Sequence, residues 1–234
     1  MNTAKYFYLN FIKKEKISRD VFGFYFDRVK RGSLKQLNFL AGQYIHLYLP
    51  VAKEKGRGNS RMFTIASSPL ERDYLLIATK KGKSIFKKNL FKLIPQTPVK
   101  FYGPSGGLVV NAIKNPSYIF LALGIGITPF RSMIKYVNKK NLSILITLLV
   151  SFSKKEDFCF YDELMDISRS NQNIRIIYSS TRINDKFIKK HIKNMNEHVY
   201  YIVGSPKAVL DLEEIVLGMG ISSNKIFIEN FEGY

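Results

Sequence analysis

Apolar and polar positions follow one rhythm in the first half of the chain and another in the second. Up to about Val110 the apolar residues fall in short aromatic and β-branched runs at 6–12, 21–26, 44–49, 61–66, 74–80 and 99–102, separated by polar and Gly-containing turns. Runs of this length and spacing predict the strands of an antiparallel barrel or sandwich. Residues 84–93 break the pattern. There Ile85, Phe86, Leu90 and Leu93 recur at helical spacing with Lys87, Lys88 and Lys92 between them, so one helix is expected to cap the β domain and to end by Pro95.

Beyond Asn115-Pro116 strand-like and helix-like segments alternate. Apolar runs at 118–123, 143–152, 174–179, 199–203 and 225–229 read as strands. Helical patterns at 129–137, 160–167, 185–194 and 206–217 lie between them. Continuous apolar strands alternating with helices predict a parallel five-stranded sheet covered on both faces. The expected architecture is therefore a β-barrel over residues 1–113 with one capping helix, followed by an α/β domain over 114–234.

Composition narrows the classes. At 46% hydrophobic residues the chain has a core to bury, and its 234 residues suit one large domain or two small ones. The single Cys159 cannot close an internal disulfide or hold an iron–sulfur cluster, and His46, His191 and His198 have no metal-ligand spacing. No apolar run reaches membrane-spanning length and the first residues lack a signal-peptide pattern, so a cytoplasmic protein without metal is expected. The formal net charge is +19, and its distribution is uneven. Residues 1–113 carry 21 Lys and Arg against 6 Asp and Glu, whereas residues 114–234 carry 16 against 12. A basic first half raises acidic proteins, nucleic acid or an anionic surface as partners, although a Lys-rich genome produces the same bias.

Four segments carry candidate chemistry. In Arg61-Met62-Phe63-Thr64-Ile65-Ala66, Arg61 and Phe63 share one face of a strand, with Thr64 on the other. A guanidinium suits a pyrophosphate and an aromatic face suits a planar ring system, but an ordinary strand with one exposed Arg carries the same residues. Gly82-Lys83-Ser84 precedes the lone helix, where Ser84 reads either as an N-cap or as part of a phosphate site. Gly124-Ile125-Gly126-Ile127-Thr128-Pro129 joins a buried strand to a helix. Its glycines permit close backbone approach to a pyrophosphate, and Pro129 fits the first helical turn. Gly204-Ser205-Pro206 is the equivalent junction after the fourth strand, at the sheet edge where open α/β sheets bind ligands.

In this order the segments resemble the ferredoxin–NADP reductase family over essentially the whole chain. Phe39-Leu40-Ala41-Gly42-Gln43-Tyr44 is similar to the family's P-G-Q-Y strand, with Ala41 in place of Pro. Arg61-x-Phe63-Thr64 resembles R-x-Y-[ST], and Gly103-Pro104-Ser105-Gly106 resembles G-P-x-G. The Gly124-x-Gly126-x-Thr128-Pro129 loop matches the nicotinamide-dinucleotide loop, Val203-Gly204-Ser205-Pro206 stands where C-G-P-x is usual, and Glu229-x-Phe231-x-Gly233-Tyr234 resembles the terminal E-x-F-x-G-Y. The resemblance implies FAD on the barrel. Arg61, Lys83 and Ser84 would hold its pyrophosphate, with Gly82 opening that loop. Phe63, Thr64 and Ile65 would lie along the flavin, Thr64 near N5. Gly124, Gly126, Thr128, Pro129 and Gly204 would receive NADPH or NADH, and Glu229 and Tyr234 would lie by the isoalloxazine, Tyr234 as a displaceable lid.

Arg182, in Ser180-Thr181-Arg182-Ile183, matches two family positions: the Arg that grips an NADP 2′-phosphate, or a later Arg-Ile that opens the next helix. Together with Thr181 and Lys154-Lys155, and with no ribose-reading acid in view, it tips the expectation weakly toward NADPH. The expected activity is hydride transfer from NAD(P)H to FAD, with electrons passed to a separate acidic carrier such as ferredoxin or flavodoxin. A flavin reductase releasing free flavin is the enzyme alternative, which the terminal aromatic opposes. A basic nucleic-acid-binding barrel is the alternative of another class, which leaves the glycine loops of the second half unexplained.

Overall fold

Strand alternation in the first half sorts large apolar side chains to one side and tyrosines to the other. In the computed structural model, which describes residues 5–29, 32, 36–50, 59–111 and 117–231, the first strand β1 (Lys5–Lys16) buries Phe7, Leu9 and Phe11 while Tyr6 and Tyr8 stay exposed. The pattern continues through β2 (Val21–Phe26), β3 (Tyr44–Tyr48), β4 (Ser60–Thr64), β5 (Leu75–Lys80) and β6 (Pro98–Ser105). Their order in the sheet is β4-β3-β6-β1-β2-β5, with neighbours antiparallel.

The run 61–66 is not one strand. It stops at Thr64, because the Ile65 N–H turns to Gln43 O at 2.9 Å and the Ala66 N–H crosses to Leu76 O at 2.8 Å. The Ser67 hydroxyl accepts from the Leu76 N–H at 3.0 Å. These bonds tie the ends of the sheet together, so no long open edge remains between β4 and β5, and the sheet closes as a barrel. Helix α1 (Ile85–Phe91) buries Phe86 and Leu90 in the barrel core. Fully burying two such side chains contributes roughly 1.5–3 kcal/mol each.

The second half builds a parallel sheet from β7 (Ser117–Leu123), β8 (Leu145–Ser151), β9 (Ile174–Ser179), β10 (Val199–Gly204) and β11 (Ile226–Asn230), in the order β11-β10-β7-β8-β9. Four helices cover it: α2 (Ile127–Lys139), α3 (Tyr161–Ser170), α4 (Asp185–His191) and α5 (Pro206–Gly218). On one face Phe120 stacks on Phe130 of α2 at 4.5 Å between centroids. On the other, Ile119, Leu121, Leu149 and Ile202 pack with Ile188 of α4 and Val209, Leu212 and Val216 of α5. Helix α3 reaches Ser170, three residues beyond the expected end. The Ser168 hydroxyl there donates to Ile174 O at 3.0 Å and accepts from the Ile176 N–H at 3.1 Å, satisfying part of the β9 edge. Helix α4 is shorter than expected and ends at His191. By internal contacts the chain divides into two compact units, Met1–Val109 and Val110–Tyr234. No helix among the described residues is long and apolar enough to cross a membrane.

Candidate functional site

Strand order reverses at β7, which lies between β10 and β8. At such a switch point the turns leaving the two adjacent strands diverge, and a crevice forms at their carboxyl ends. The turn after β7 is a 3-10 turn, Gly124–Gly126, running directly into α2. Gly124 has φ +58°, in the left-handed region. A Cβ at Gly126 would lie 2.2 Å from Val203 O and 2.6 Å from Val203 C, and one at Gly204 would lie 2.8 Å from Leu123 Cβ. The two glycine turns therefore interlock. The close approach that requires Gly126 is to the neighbouring turn of the protein, a role its spacing alone did not reveal.

Thr128 is buried and its hydroxyl donates to Ile125 O at 3.1 Å, so this side chain braces the turn from inside. Pro129 sits in the first turn of α2, two residues after the helix begins. Glu229 lies beside Val203 in the β10–β11 register, and the Phe231 N–H donates to Gly204 O at 2.8 Å, extending the pairing past the strand. Thus Gly126, Val203, Gly204 and Glu229 meet at one edge. Val203 is fully buried there, without the thiol the family pattern carries.

Thr181 and Arg182 are exposed at the same carboxyl edge, after β9. The Ser179 hydroxyl accepts from the Thr181 N–H at 3.0 Å, and the Ser151 hydroxyl donates to Thr181 O at 2.7 Å. These bonds pin the loop that presents Arg182. Ile183 is buried and Asn184 caps α4, accepting from the Phe187 N–H at 2.8 Å. Arg182 thus lies two residues before the Asn184 cap and faces solvent.

In the barrel, register puts Arg61 opposite Leu47 and Phe63 opposite Ile45, on the inward side, and puts Thr64 opposite Tyr44 on the outward side. Thr64 is buried, and Ile65 after it is fully buried in the core. Arg61 and Phe63 converge on Phe86 of α1. The guanidinium carbon is 5.1 Å from the Phe86 ring centre, and the Phe63 and Phe86 rings are stacked at 6.2 Å. Ser84 acts as the N-cap, accepting from the Lys87 N–H at 3.2 Å. Lys83 is exposed beside it. A Cβ at Gly82 would meet Lys87 Cδ at 2.5 Å, so the Lys87 stem lies across this glycine. Burial, and then the charge of Lys80, hold the Lys87 ammonium below its ordinary pKa.

Sequence reading missed Phe86 and Lys87 as partners of the motif. Their helical spacing marked a buried face and a solvated face and did not show what the helix packs on. Gln43 was placed only by resemblance. Its side chain accepts from the Leu40 N–H at 2.8 Å and donates to Gly106 O at 3.3 Å, joining the Gly42-Gln43-Tyr44 and Gly103–Gly106 segments. Tyr234 lies outside the described residues.

A cation beside an aromatic face at the start of a Lys-bearing helix suits a group that joins phosphates to a planar ring. Interlocked glycine turns at the strand-order reversal suit a dinucleotide. Both units thus have the form of cofactor-binding domains, and comparison with known proteins gives the same pairing. The family model of the oxidoreductase FAD-binding domain matches residues 8–109, and that of the oxidoreductase NAD-binding domain matches residues 120–213. The chain belongs to the ferredoxin–NADP reductase-like family of FAD- and NAD(P)-binding oxidoreductases.

It is 23% identical to ferredoxin–NADP reductase B of Sorangium cellulosum over 87% of this chain and 89% of that protein. It is 24% identical to a flavohemoprotein of Bacillus subtilis over 94% of this chain, and it spans only 57% of that protein's length. Among solved structures, the flavohem-like FAD/NAD-binding domain of nitric oxide dioxygenase from Vibrio cholerae shares the fold at TM-score 0.80 and 17% identity, covering 96% of this chain and 98% of that one.

Proposed function

We propose that the chain takes hydride from NAD(P)H and delivers electrons to a separate carrier protein such as ferredoxin or flavodoxin, with residues 1–113 as the flavin domain and 114–234 as the dinucleotide domain. The observation that carries this reading is the convergence of Arg61 and Phe63 on Phe86 at the start of a Lys-bearing helix. When bound, FAD supplies the conversion of a hydride into single electrons, and the protein supplies binding, orientation and electrostatics.

Arg61 gives a fixed fork of donors for the pyrophosphate. Lys83 and Lys87 add charge at the helix start. The Lys87 ammonium, held low by burial and then by Lys80, is relieved by an anion placed there. Phe63 offers a ring for the cofactor to pack on, Thr64 a hydroxyl for a hydrogen bond near flavin N5, and Ile65 an apolar floor. Gly124, Gly126 and Gly204 bring backbone to the dinucleotide, with Thr128 and Pro129 holding the α2 start in shape. Thr181 and Arg182 reach the ribose end, which favours NADPH over NADH. Glu229 stands at the β10–β11 edge where nicotinamide has to arrive. The lone Cys159 cannot ligate an iron–sulfur cluster, which supports a carrier separate from these two units.

The test is an absorbance spectrum of the purified protein before and after anaerobic NADPH or NADH. Flavin bands that survive gel filtration and bleach with the dinucleotide are expected. Colourless protein that takes up no added FAD sinks the reading, and flavin lost on the column while NAD(P)H oxidation depends on added flavin selects the free-flavin reductase instead.

A further inference from the structure

The outward face of the barrel carries an aromatic surface on the side of β4 opposite to Arg61 and Phe63. Register sets its residues in rows across β1, β6, β3 and β4. Tyr8, Lys100, Tyr48 and Ser60 form one row; Tyr6, Tyr102, His46 and Met62 form the next; Tyr44 and Thr64 continue it across β3 and β4. Tyr6, Tyr8 and Met62 are 56%, 46% and 51% exposed. The rings touch in a chain: Tyr48 to Tyr6 at 5.6 Å, Tyr6 to Tyr102 at 5.1 Å, Tyr102 to His46 at 5.8 Å and His46 to Tyr44 at 5.8 Å.

Lys100 lies in the first of these rows, between Tyr8 and Tyr48. Its ammonium lies 4.0 Å from the Tyr6 ring centre and 5.5 Å from that of Tyr48. Among the described residues no carboxylate pairs with it. The two rings hold the cation in place at a surface where it can meet an incoming anion. Hydrogen bonding with Tyr6, then burial, raises the Tyr48 phenol above its ordinary pKa.

We propose that this tyrosine face, which includes Lys100, is where an acidic electron-carrier protein docks, placing a carboxylate on the Lys100 ammonium within a ring of phenols; the assignment rests on the oxidoreductase reading above. Three observations select that occupant. The unit bearing the face holds most of the chain's basic surplus, so an acidic partner is steered to it. Tyrosine is among the residue types that dominate binding energy in protein interfaces. The face also runs through Tyr44 to Thr64, the residue assigned to the flavin, so a partner seated there brings its redox centre to the flavin's side. Stacked nucleotides fit less well. One side of Tyr6 is taken by Lys100, and Tyr48 and Tyr102 meet it at 68° and 49°, which leaves no platform of parallel ring faces.

The experiment uses the FAD-loaded full chain, NADPH, and two kinds of acceptor: ferricyanide, and an acidic ferredoxin or flavodoxin. Two variants, Lys100→Glu and Tyr6→Ala/Tyr8→Ala, alter the face separately, and the first keeps every ring in place. Each is expected to lower kcat/KM for the carrier at least tenfold at low salt and to leave ferricyanide turnover unchanged. Carrier rates at the wild-type level in both variants overturn the docking face while leaving the oxidoreductase reading intact. So does a wild type that reduces ferricyanide and neither carrier. Loss of oligo-dT binding in the variants with carrier rates unmoved assigns the face to nucleic acid and also overturns it. A wild type that fails even with ferricyanide overturns both readings.

Discussion

The two units place their candidate cofactor residues by different physical means. The barrel gathers side chains from segments far apart in sequence: Arg61 and Phe63 from β4, Phe86 and Lys87 from α1. The α/β unit uses backbone, with Gly126 set against Val203 O and Gly204 against Leu123. A side-chain site can lose one contact and keep its shape. A site made of two interlocked turns has no slack, because the atom in the way is a backbone carbonyl held in a five-stranded sheet. Substitutions in the second unit should therefore act through geometry, and those in the first through lost interactions.

The sharpest contrast comes from a pair of glycines. Gly126→Ala forces a Cβ to within 2.2 Å of Val203 O, and neither turn can retreat without breaking the β7–β10 edge. Destabilisation of about 3 kcal/mol or more is expected, with loss of dinucleotide binding. Gly82→Ala meets only the flexible Lys87 stem and should cost less than about 1 kcal/mol. Chemical denaturation of the two variants measures the difference; equal costs would show that the two sites are equally rigid.

Next in size is Arg61→Ala. It removes a charge-assisted contact worth about 1.5–3 kcal/mol, so FAD should dissociate more readily while the apo fold melts near its wild-type temperature. Equilibrium dialysis of FAD against both proteins gives the ratio, and an unchanged ratio removes Arg61 from the pyrophosphate. Arg182→Ala should have a smaller, selective effect. It is exposed and contacts at most one end of the dinucleotide, so KM for NADPH should rise about tenfold while KM for NADH hardly moves. Stopped-flow flavin reduction with each donor decides this. Equal effects would place Arg182 in the helix-opening role alone.

The smallest effect concerns one histidine in each unit. Burial pushes the pKa of His46 below its ordinary value near 6.5; burial, and then Arg175 and Lys190, do the same to His191. A depressed folded pKa means that the neutral form is the one the fold favours. The stability each histidine contributes is present above about pH 6.5 and is lost as pH falls through the folded value. His46→Gln and His191→Gln should each flatten the fall in melting temperature on the acid side of pH 6.5 by a degree or so. Unchanged slopes would mean that neither histidine is linked to folding.

Periodicity was enough to reveal both sheets, because a barrel strand must alternate and a doubly covered parallel strand need not. The turn chemistry of Gly124-x-Gly126 and Gly204-Ser205-Pro206 was likewise legible, since few residues tolerate such junctions. Strand ends were less so. The segment 61–66 has the composition of one strand, yet it breaks at Thr64 where hydrogen bonding transfers to β5, and only barrel closure decides that. The roles of Phe86 and Lys87 were hidden for a related reason: a helical repeat shows which face is buried and not what it is buried against.

Local sequence determined which segments are strands or helices, where glycine and proline turns fall, and that the charge surplus lies in the first half, because these depend on residue type and short spacings. Tertiary structure alone decided that Arg61 and Phe63 meet Phe86, that Gly126 is required by Val203, and that Lys100 sits among tyrosines from three strands. Those juxtapositions depend on register and closure, which are properties of strands paired at long range and not of any one segment.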